Sequence, residues 1–298
     1  MVKKSHPVLF RTKAEIFSFI EQNRGKHEVK IMCRLYSVTR SGYYAWKVRG
    51  RSERSVADDH LCSIIEKIYF ESRGTYGSPR IYQELRAGGV QVGRKRVERL
   101  MRERGIKARC ARIYRSKRGL KKYFTGIPNR SLDVIPVKPD QVWVGDITYL
   151  KAGGQWRYFA AVMDKFSRRI VGCCLSKNKD TALTLSAFNQ AVENRKPQIG
   201  AIFHTDRGTE YGNFIFRDRL TEVGFVQSMN RPGGKMTDNA FMESFFHTMK
   251  AECIHVVRFA DDQAILNHIR SYIPFYNSKR MHSALGYLSP EEYELKSA

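Results

Sequence analysis

The sequence predicts an α/β protein in two parts: a basic, all-α N-terminal half and a mixed sheet with helices on both faces. Three observations predict it. Strand-like runs begin only after residue 141 and then interleave with helix-like runs. The formal charge of +24 is uneven. Residues 1–130 hold 32 basic and 11 acidic residues, net +21, and residues 131–298 hold 21 and 18, net +3. Finally, three acids, Asp146, Asp206 and Glu243, stand in apolar contexts, VWVGDITYL, AIFHTDRGTEY and TDNAFMESFFHTMK.

At 298 residues with 42% hydrophobic content, the chain supports two or three domains with sizeable cores. Residues 1–55 form an N-terminal helical fragment. Within 26–50, Val29, Met32, Cys33 and Tyr36 share one helical face, Thr39-Arg40-Ser41-Gly42 breaks it, and Tyr43, Tyr44 and Trp46 follow as core aromatics. Residues 56–115 form a helix–turn–helix domain of three helices, at about 57–71, from Ser78-Pro79 to Gly88-Gly89, and 94–104. Ser78 is the expected N-cap, with proline at the first helical position. In the third helix Val97, Leu100 and Met101 face inward. Arg94, Lys95, Arg96, Arg99 and Arg102 cover the rest, as in a recognition helix; a solvated basic helix is the plainer alternative. The densest stretch, 94–122, has 14 basic and 2 acidic residues. Such like-charge density calls for a polyanion, and six phosphate contacts would give a salt slope of roughly −5. Residues 116–140 are a basic linker punctuated by Pro128, Pro136 and Pro139.

From 141 the expected order is strands at about 142–150, 156–163 and 169–175, a helix at 180–194, a strand at 200–205, a helix at 213–223, a strand at 225–228 and a helix at 238–253. Gly153-Gly154 marks the first hairpin. The order β-β-β-α-β-α-β-α is that of the ribonuclease-H-like fold, with a mixed five-stranded sheet. Residues 141–275 form this core and 276–298 a C-terminal tail.

Apolar runs fall well short of the roughly 20 residues a membrane-spanning helix needs. The six cysteines (33, 62, 110, 173, 174, 253) have no CxxC spacing and read as reduced thiols in a cytoplasmic protein. Pairs such as His60/Cys62 and Cys253/His255 do not make a four-ligand zinc set.

An acid in an apolar run is costly to bury unless it is paired or binds a cation. Asp146, Asp206 and Glu243 together make an oxygen-ligand set for Mg²⁺ or Mn²⁺. Two ions about 4 Å apart serve phosphodiester cleavage by activating the attacking oxygen and stabilising the leaving one. Asp146, on the central strand, is the expected bridge. Asn239, Glu243, His247 and Lys250 share one helical face. Lys250 either neutralises a substrate phosphate or makes a plain salt bridge. His247 and His204 are auxiliary candidates, with structural roles as the alternative. Asp238 reads as a helix cap, Asp164 as a turn residue, and Arg231-Pro232-Gly233-Gly234-Lys235 as a mobile loop that lets Glu243 swing in.

WVGDITYL, HTDRGTEYGN, DNAFMESFFHTMKAE and YNSKRMHSALGYLSPEEYE resemble the integrase-like transposases (OrfB) of the bacterial IS-three family of insertion sequences. GTYGSPRIYQELRAGGVQVGRKRVERLMRERGIKAR resembles that family's helix–turn–helix segment, and MCRLYSVTRSGYYAWKVR the stretch before it. The resemblance covers about 28–298. It implies a retroviral-integrase-like core with Asp146, Asp206 and Glu243 as the DDE triad and Lys250 as the basic residue seven positions later. The 36 residues between Asp206 and Glu243 are one more than the family's usual spacing, and Gly145 stands where threonine is frequent. The resemblance further implies copy-out, paste-in transposition on double-stranded DNA, acting on terminal repeats and target. It implies assembly as a homo-oligomer on DNA. OrfA, as a fusion or a separate subunit, would add another helix–turn–helix and a coiled coil. The competing readings are a DNA-binding regulator with an inactive core and a structure-selective nuclease of the same fold.

Overall fold

In the computed structural model of the chain, the described residues are 10, 12–49, 52–109, 126–232 and 236–297. The chain falls into two compact units, Met1–Ile64 and Ile65–Ala298.

The first unit holds α1 (Lys13–Asn23), α2 (Val29–Leu35), α3 (Arg40–Val48) and the start of α4 (Glu53–Glu71). The Thr12 hydroxyl accepts the Glu15 N–H and the Thr39 hydroxyl accepts the Gly42 N–H, so α1 and α3 both begin at side-chain caps. Phe17, Ile20, Met32, Cys33 and Tyr43 form their common core. The pattern at 26–50 does not extend back to α1, although Thr12-x-x-Glu15 followed by Ile16, Phe17 and Ile20 is a helix-start signal. Tyr44, expected inside, is 53% exposed, because on a short helix the residue after a buried Tyr43 turns away by about 100°.

The second unit begins within α4 and continues through α5 (Ser78–Ala87) and α6 (Arg94–Glu103). The N-cap of α5 is Gly77, so Ser78 is already helical and Pro79 lies inside the first turn. Ile81, Leu85, Val97, Leu100 and Met101 are buried where these helices meet.

The sheet contains β1 (Val142–Ala152), β2 (Gln155–Asp164) and β3 (Ile170–Ser176), followed by α7 (Thr181–Arg195), β4 (Ile202–Thr205), α8 (Thr209–Gly212), α9 (Phe214–Val223) and β5 (Val226–Met229). Strand order is β3-β2-β1-β4-β5. β1, β2 and β3 pair antiparallel; β4 and β5 join in parallel. This is the ribonuclease-H-like arrangement with an all-α region before it. Gly153 and Gly154 both take positive φ in the β1–β2 hairpin.

Strand periodicity sorts side chains to two cores. On one face, Trp143 and Ile147 pack with Phe188, Phe203 and Phe216 beneath α7 and α9. On the other, Val144 and Leu150 pack against α10 (Ala240–Met249) and α11 (Asp262–Ser278), with Met242, Phe245, Met249, Ile265 and Tyr276. A 3-10 turn (Met236–Asn239) precedes α10, and a π turn (Lys250–Ile254) follows it.

Two stretches depart from expectation. Residues 126–140 are docked: Arg130 N–H donates to Ser228 Oγ at 2.8 Å, Met229 N–H to Pro128 O at 3.2 Å, and Lys165 Nζ to Ser131 O at 2.6 Å. Residues 276–297 are likewise packed. Asn277 pairs with both backbone groups of Ile170, accepting from its N–H at 2.9 Å and donating to its carbonyl at 2.8 Å. It thus supplies the edge strand β3 with a partner. In the last helix, α12 (Pro290–Ser297), Glu294 takes bonds from Arg169, Arg195 and Ser167. Its carboxyl titrates below its ordinary range. Burial opposes this, but hydrogen bonds from Arg195 and Ser167 outweigh it. These anchors lie far away in sequence, and local periodicity does not register them.

Candidate active site

Asp146 sits on the central strand and Asp206 one residue past the end of β4. The parallel register pairs Val144 with His204 and Gly145 with Thr205. The two acids that follow therefore stand side by side, Asp146 in the middle of β1 and Asp206 just past the carboxyl end of β4. Parity sends Asp146 to the face of Val144, the α10 face. Asp146 Oδ1 accepts the Ile147 N–H at 2.8 Å, and Asp206 Oδ1 accepts the Gly208 N–H at 3.0 Å. Both acids are half-buried.

The start of α10 is tied to the same place. Asn239 Nδ2 donates to the Gly145 carbonyl at 3.2 Å, while its buried Oδ1 has no hydrogen-bond partner among the described residues. Glu243 lies one helical turn further and is exposed, as is His247; Lys250 is half-buried. Among the described residues, no group of three or more His, Cys, Asp or Glu is close enough to hold a metal ion. The fold thus joins two of the three expected acids and holds the third on a helix that abuts them.

Glu210 is a further acid that the motif reading did not single out. A Cβ on Gly208 would lie 2.8 Å from Glu210 Oε2 and 3.0 Å from Asp206 Oδ1, so glycine leaves room for both carboxylates. Glu210 is buried and pairs with Lys179 at 2.9 Å. Burial disfavours the Lys179 ammonium, but the bond to Glu210 outweighs it and Lys179 titrates above its ordinary range. The fully buried Tyr211 phenol is pushed well up, first by burial and then by Asp146, Asp206 and Glu210. Counting every acid in HTDRGTEY would have found Glu210; its ion pair with Lys179 is purely tertiary. Gly145 has a physical reason too: a Cβ there would stand 2.9 Å from the Phe203 ring.

His204 is completely buried. Its Nδ1 is 2.8 Å from Ser228 Oγ, and its Nε2 is 2.9 Å from Asn230 Oδ1 and 3.0 Å from the Asp238 carbonyl. Two acceptors at Nε2 fix the proton there, and the Ser228 hydroxyl donates to Nδ1. Burial pushes its pKa down to about 4, so it is a neutral brace between β5 and the turn leading to α10. Asp238 does not cap α10. It accepts from the Arg231 guanidinium at 2.7 Å and the Arg231 N–H at 3.0 Å, closing the base of the loop, and Arg231 holds it below the usual carboxylate range. Gly233, Gly234 and Lys235, part of the expected mobile loop, lie outside the described residues. Asp164 is a turn residue, accepting from Ser167 and from the Asp140 N–H.

On α6, Arg94 pairs with Glu98 and Arg99 with Glu103, each at 2.9 Å, while Lys95 and Arg102 are exposed and Arg96 is half-buried. Exposed i,i+4 pairs of this kind contribute about 0.3–0.5 kcal/mol and give way readily to a stronger anion. No helix among the described residues is long and apolar enough to cross a membrane.

A sheet of this order, preceded by a basic three-helix segment, has the architecture of the integrase class. Two models described as "Integrase core domain" match residues 136–235 and 224–290, and one described as "HTH-like domain" matches 57–114. The chain is 35% identical to the transposase InsF for insertion sequence IS3A of Escherichia coli (strain K12), over 94% of this chain and 99% of that protein. It is also 35% identical to an uncharacterized 31 kDa protein of insertion element IS600 from Shigella sonnei, over 89% of this chain and 98% of that one. A simian T-cell lymphotropic virus intasome in complex with PP2A regulatory subunit B56 gamma is a loose structural likeness. Its TM-score is 0.47 at 14% identity, covering 77% of this chain and 74% of that one. The chain belongs to the IS3 family of insertion-sequence transposases, and it acts as a DNA transposase.

Proposed function

We propose that the chain cleaves and joins DNA strands through Asp146, Asp206 and Glu243 with bound divalent metal. The parallel register that sets Asp146 beside Asp206 carries this reading. The donor set fits Mg²⁺, with Mn²⁺ as a substitute: hard carboxylate oxygens of Asp146 and Asp206, with Asn239, bonded to the Gly145 carbonyl and with its buried Oδ1 unpartnered among the described residues, on the same stretch of β1. Two bound ions would activate the attacking oxygen and stabilise the leaving one. Asp146 and Asp206 would hold the metal, and Glu243 would complete its ligand set as α10 closes on the DNA. Asn239 and His204 are positioning residues, the first tying α10 to β1 and the second fixing the turn before it. Lys250 and His247, further along that helix, meet the substrate backbone. Arg94, Lys95, Arg96, Arg99 and Arg102 contact terminal-repeat DNA.

The pathway is copy-out, paste-in: one element end is nicked, its 3′-OH attacks the same strand beside the other end, and a circular intermediate is later inserted. The protein works as a homo-oligomer on double-stranded DNA in the bacterial cytoplasm, at the nucleoid, with OrfA as fusion or separate subunit. The test is a joining assay with a pre-cleaved 3′-OH end and Mg²⁺ or Mn²⁺. Joined products that vanish in Asp146→Asn, Asp206→Asn and Glu243→Gln support the reading. Hydrolysis without joining makes the protein a nuclease, and full activity of any one variant removes that residue.

A further inference from the structure

The motif YNSKRMHSALGYLSPEEYE places Arg280 and His282 at a site that strand cleavage does not use. They line a polar cavity of about 120 Å³ together with Arg80, Arg168, Ser244 and Thr248. Three guanidiniums meet there, and one carboxylate, Glu252, faces them. Glu252 is committed to Arg280, accepting from Nε and Nη2 at 2.8 Å each, and to the Tyr272 hydroxyl at 2.9 Å. Arg80 reaches the same carboxylate only at 3.9 Å. Arg168 enters from the β2–β3 turn with its guanidinium 5.0 Å above the Phe241 ring. It does so from a left-handed backbone, φ +63°, which L residues rarely adopt. Three cations against one anion leave two positive charges around a small, partly enclosed space. Burial first, then Arg280, Arg80 and Arg168, hold the neighbouring His282 imidazole well below its ordinary range. A concentration of positive charge with hydroxyl donors is the chemistry of a phosphate seat.

Position says which phosphate. Ser244 and Thr248 each follow by one residue an exposed position of α10, Glu243 and His247 respectively. They therefore lie about 100° around the same helix. A strand crossing Glu243 would bring a neighbouring phosphate towards this cavity. We propose that the cavity seats one backbone phosphodiester of the bound DNA, held by Arg168 and Arg80 with the Ser244 and Thr248 hydroxyls. This rests on α10 facing DNA, as the proposed function has it, but not on the chemistry of the three acids.

The test uses full-length protein carrying Asp146→Asn, so that DNA stays intact, and follows fluorescence anisotropy of a labelled duplex across a salt series. Arg168→Gly, which keeps the left-handed turn without strain, is expected to reduce the magnitude of the slope of log K against log salt by about 1. Thr248→Val, nearly isosteric and uncharged, is expected to weaken binding about fivefold at unchanged slope. It keeps the question open to experiment should the first variant fold poorly. An unchanged slope in Arg168→Gly with unchanged affinity in Thr248→Val overturns the proposal, as does failure to bind the duplex. A parallel melting series in inorganic sulfate separates the sources. Stabilisation by sulfate lost in Arg168→Gly, with the DNA slope intact, makes this a free-anion site and refutes the DNA assignment. Strand joining that persists in an otherwise wild-type Arg168→Gly background leaves the catalytic reading standing in either case.

Discussion

Glu243 and Glu252 lie nine residues apart on one continuous helical stretch, yet they have opposite surroundings. Glu252 is 8% exposed at its side chain and accepts from Arg280 twice and from Tyr272 once. Glu243 stands at the surface of α10, one turn beyond the contact that ties the helix to β1. A carboxylate that holds a fold together is saturated with donors, since a buried charge is tolerable only when paired. Glu243, which the proposed function assigns to a metal, is by contrast exposed. Glu252 lies within the π turn Lys250–Ile254, where the helix widens, whereas Glu243 lies on the regular α10.

The largest effect that tests this contrast is on chemistry. Asp146→Asn, Asp206→Asn and Glu243→Gln are each expected to reduce strand joining to background while leaving the urea midpoint close to wild type; a large loss of stability in Glu243→Gln would erase the distinction. Glu252→Gln should do the reverse. Removing that charge strands the buried Arg280 guanidinium, 6% exposed, and should cost about 3 kcal/mol in urea unfolding. Between these lies Gly208→Ala. The new Cβ would press on Asp206 Oδ1 and Glu210 Oε2, both mobile side-chain ends, so stability should hold. Displacing Asp206 by even an ångström should slow joining on the order of 10²-fold, read as single-turnover rates.

The smallest effects are in the pH dependence of stability. Burial lowers the His204 pKa from 6.5 to about 4, so between those values the unfolded chain binds a proton that the folded one does not. Its contribution is complete above pH 6.5 and is lost as pH falls toward 4. Asp164 runs the other way. Burial raises it from 3.8 to about 6, so its contribution is complete below 3.8 and is lost as pH rises through 6. His204→Gln should flatten the first slope and Asp164→Asn the second in melting curves taken from pH 4 to 7. Matching slopes in variant and wild type would reject the corresponding assignment.

Much of this molecule is legible in local sequence because its signals are local. The hairpin glycines, the apolar strand around Asp146 and the inward stripe Val97, Leu100 and Met101 are all period-2 or period-3.6 patterns. Asp164 reads as a turn residue for the same reason. Asp238 misleads: preceding a helix it looks like a cap, but Arg231, seven residues back, claims its oxygens. The last 23 residues read as a tail, since the ties of Asn277, Arg280 and Glu294 to Ile170, Glu252 and Arg195 reach far away in sequence.

The sequence by itself determined the division into a basic helical half and a near-neutral α/β core, the acids available for chemistry, and the family. Backbone periodicity, charge and motif spacing are properties of the chain whether folded or not. Tertiary structure decided which acids stand together, that Glu210 joins them with Lys179, and that Arg80, Arg168 and Arg280 share one cavity. Those facts depend on strand register and helix packing, which bring residues up to 200 positions apart, Arg80 and Arg280, to the same carboxylate.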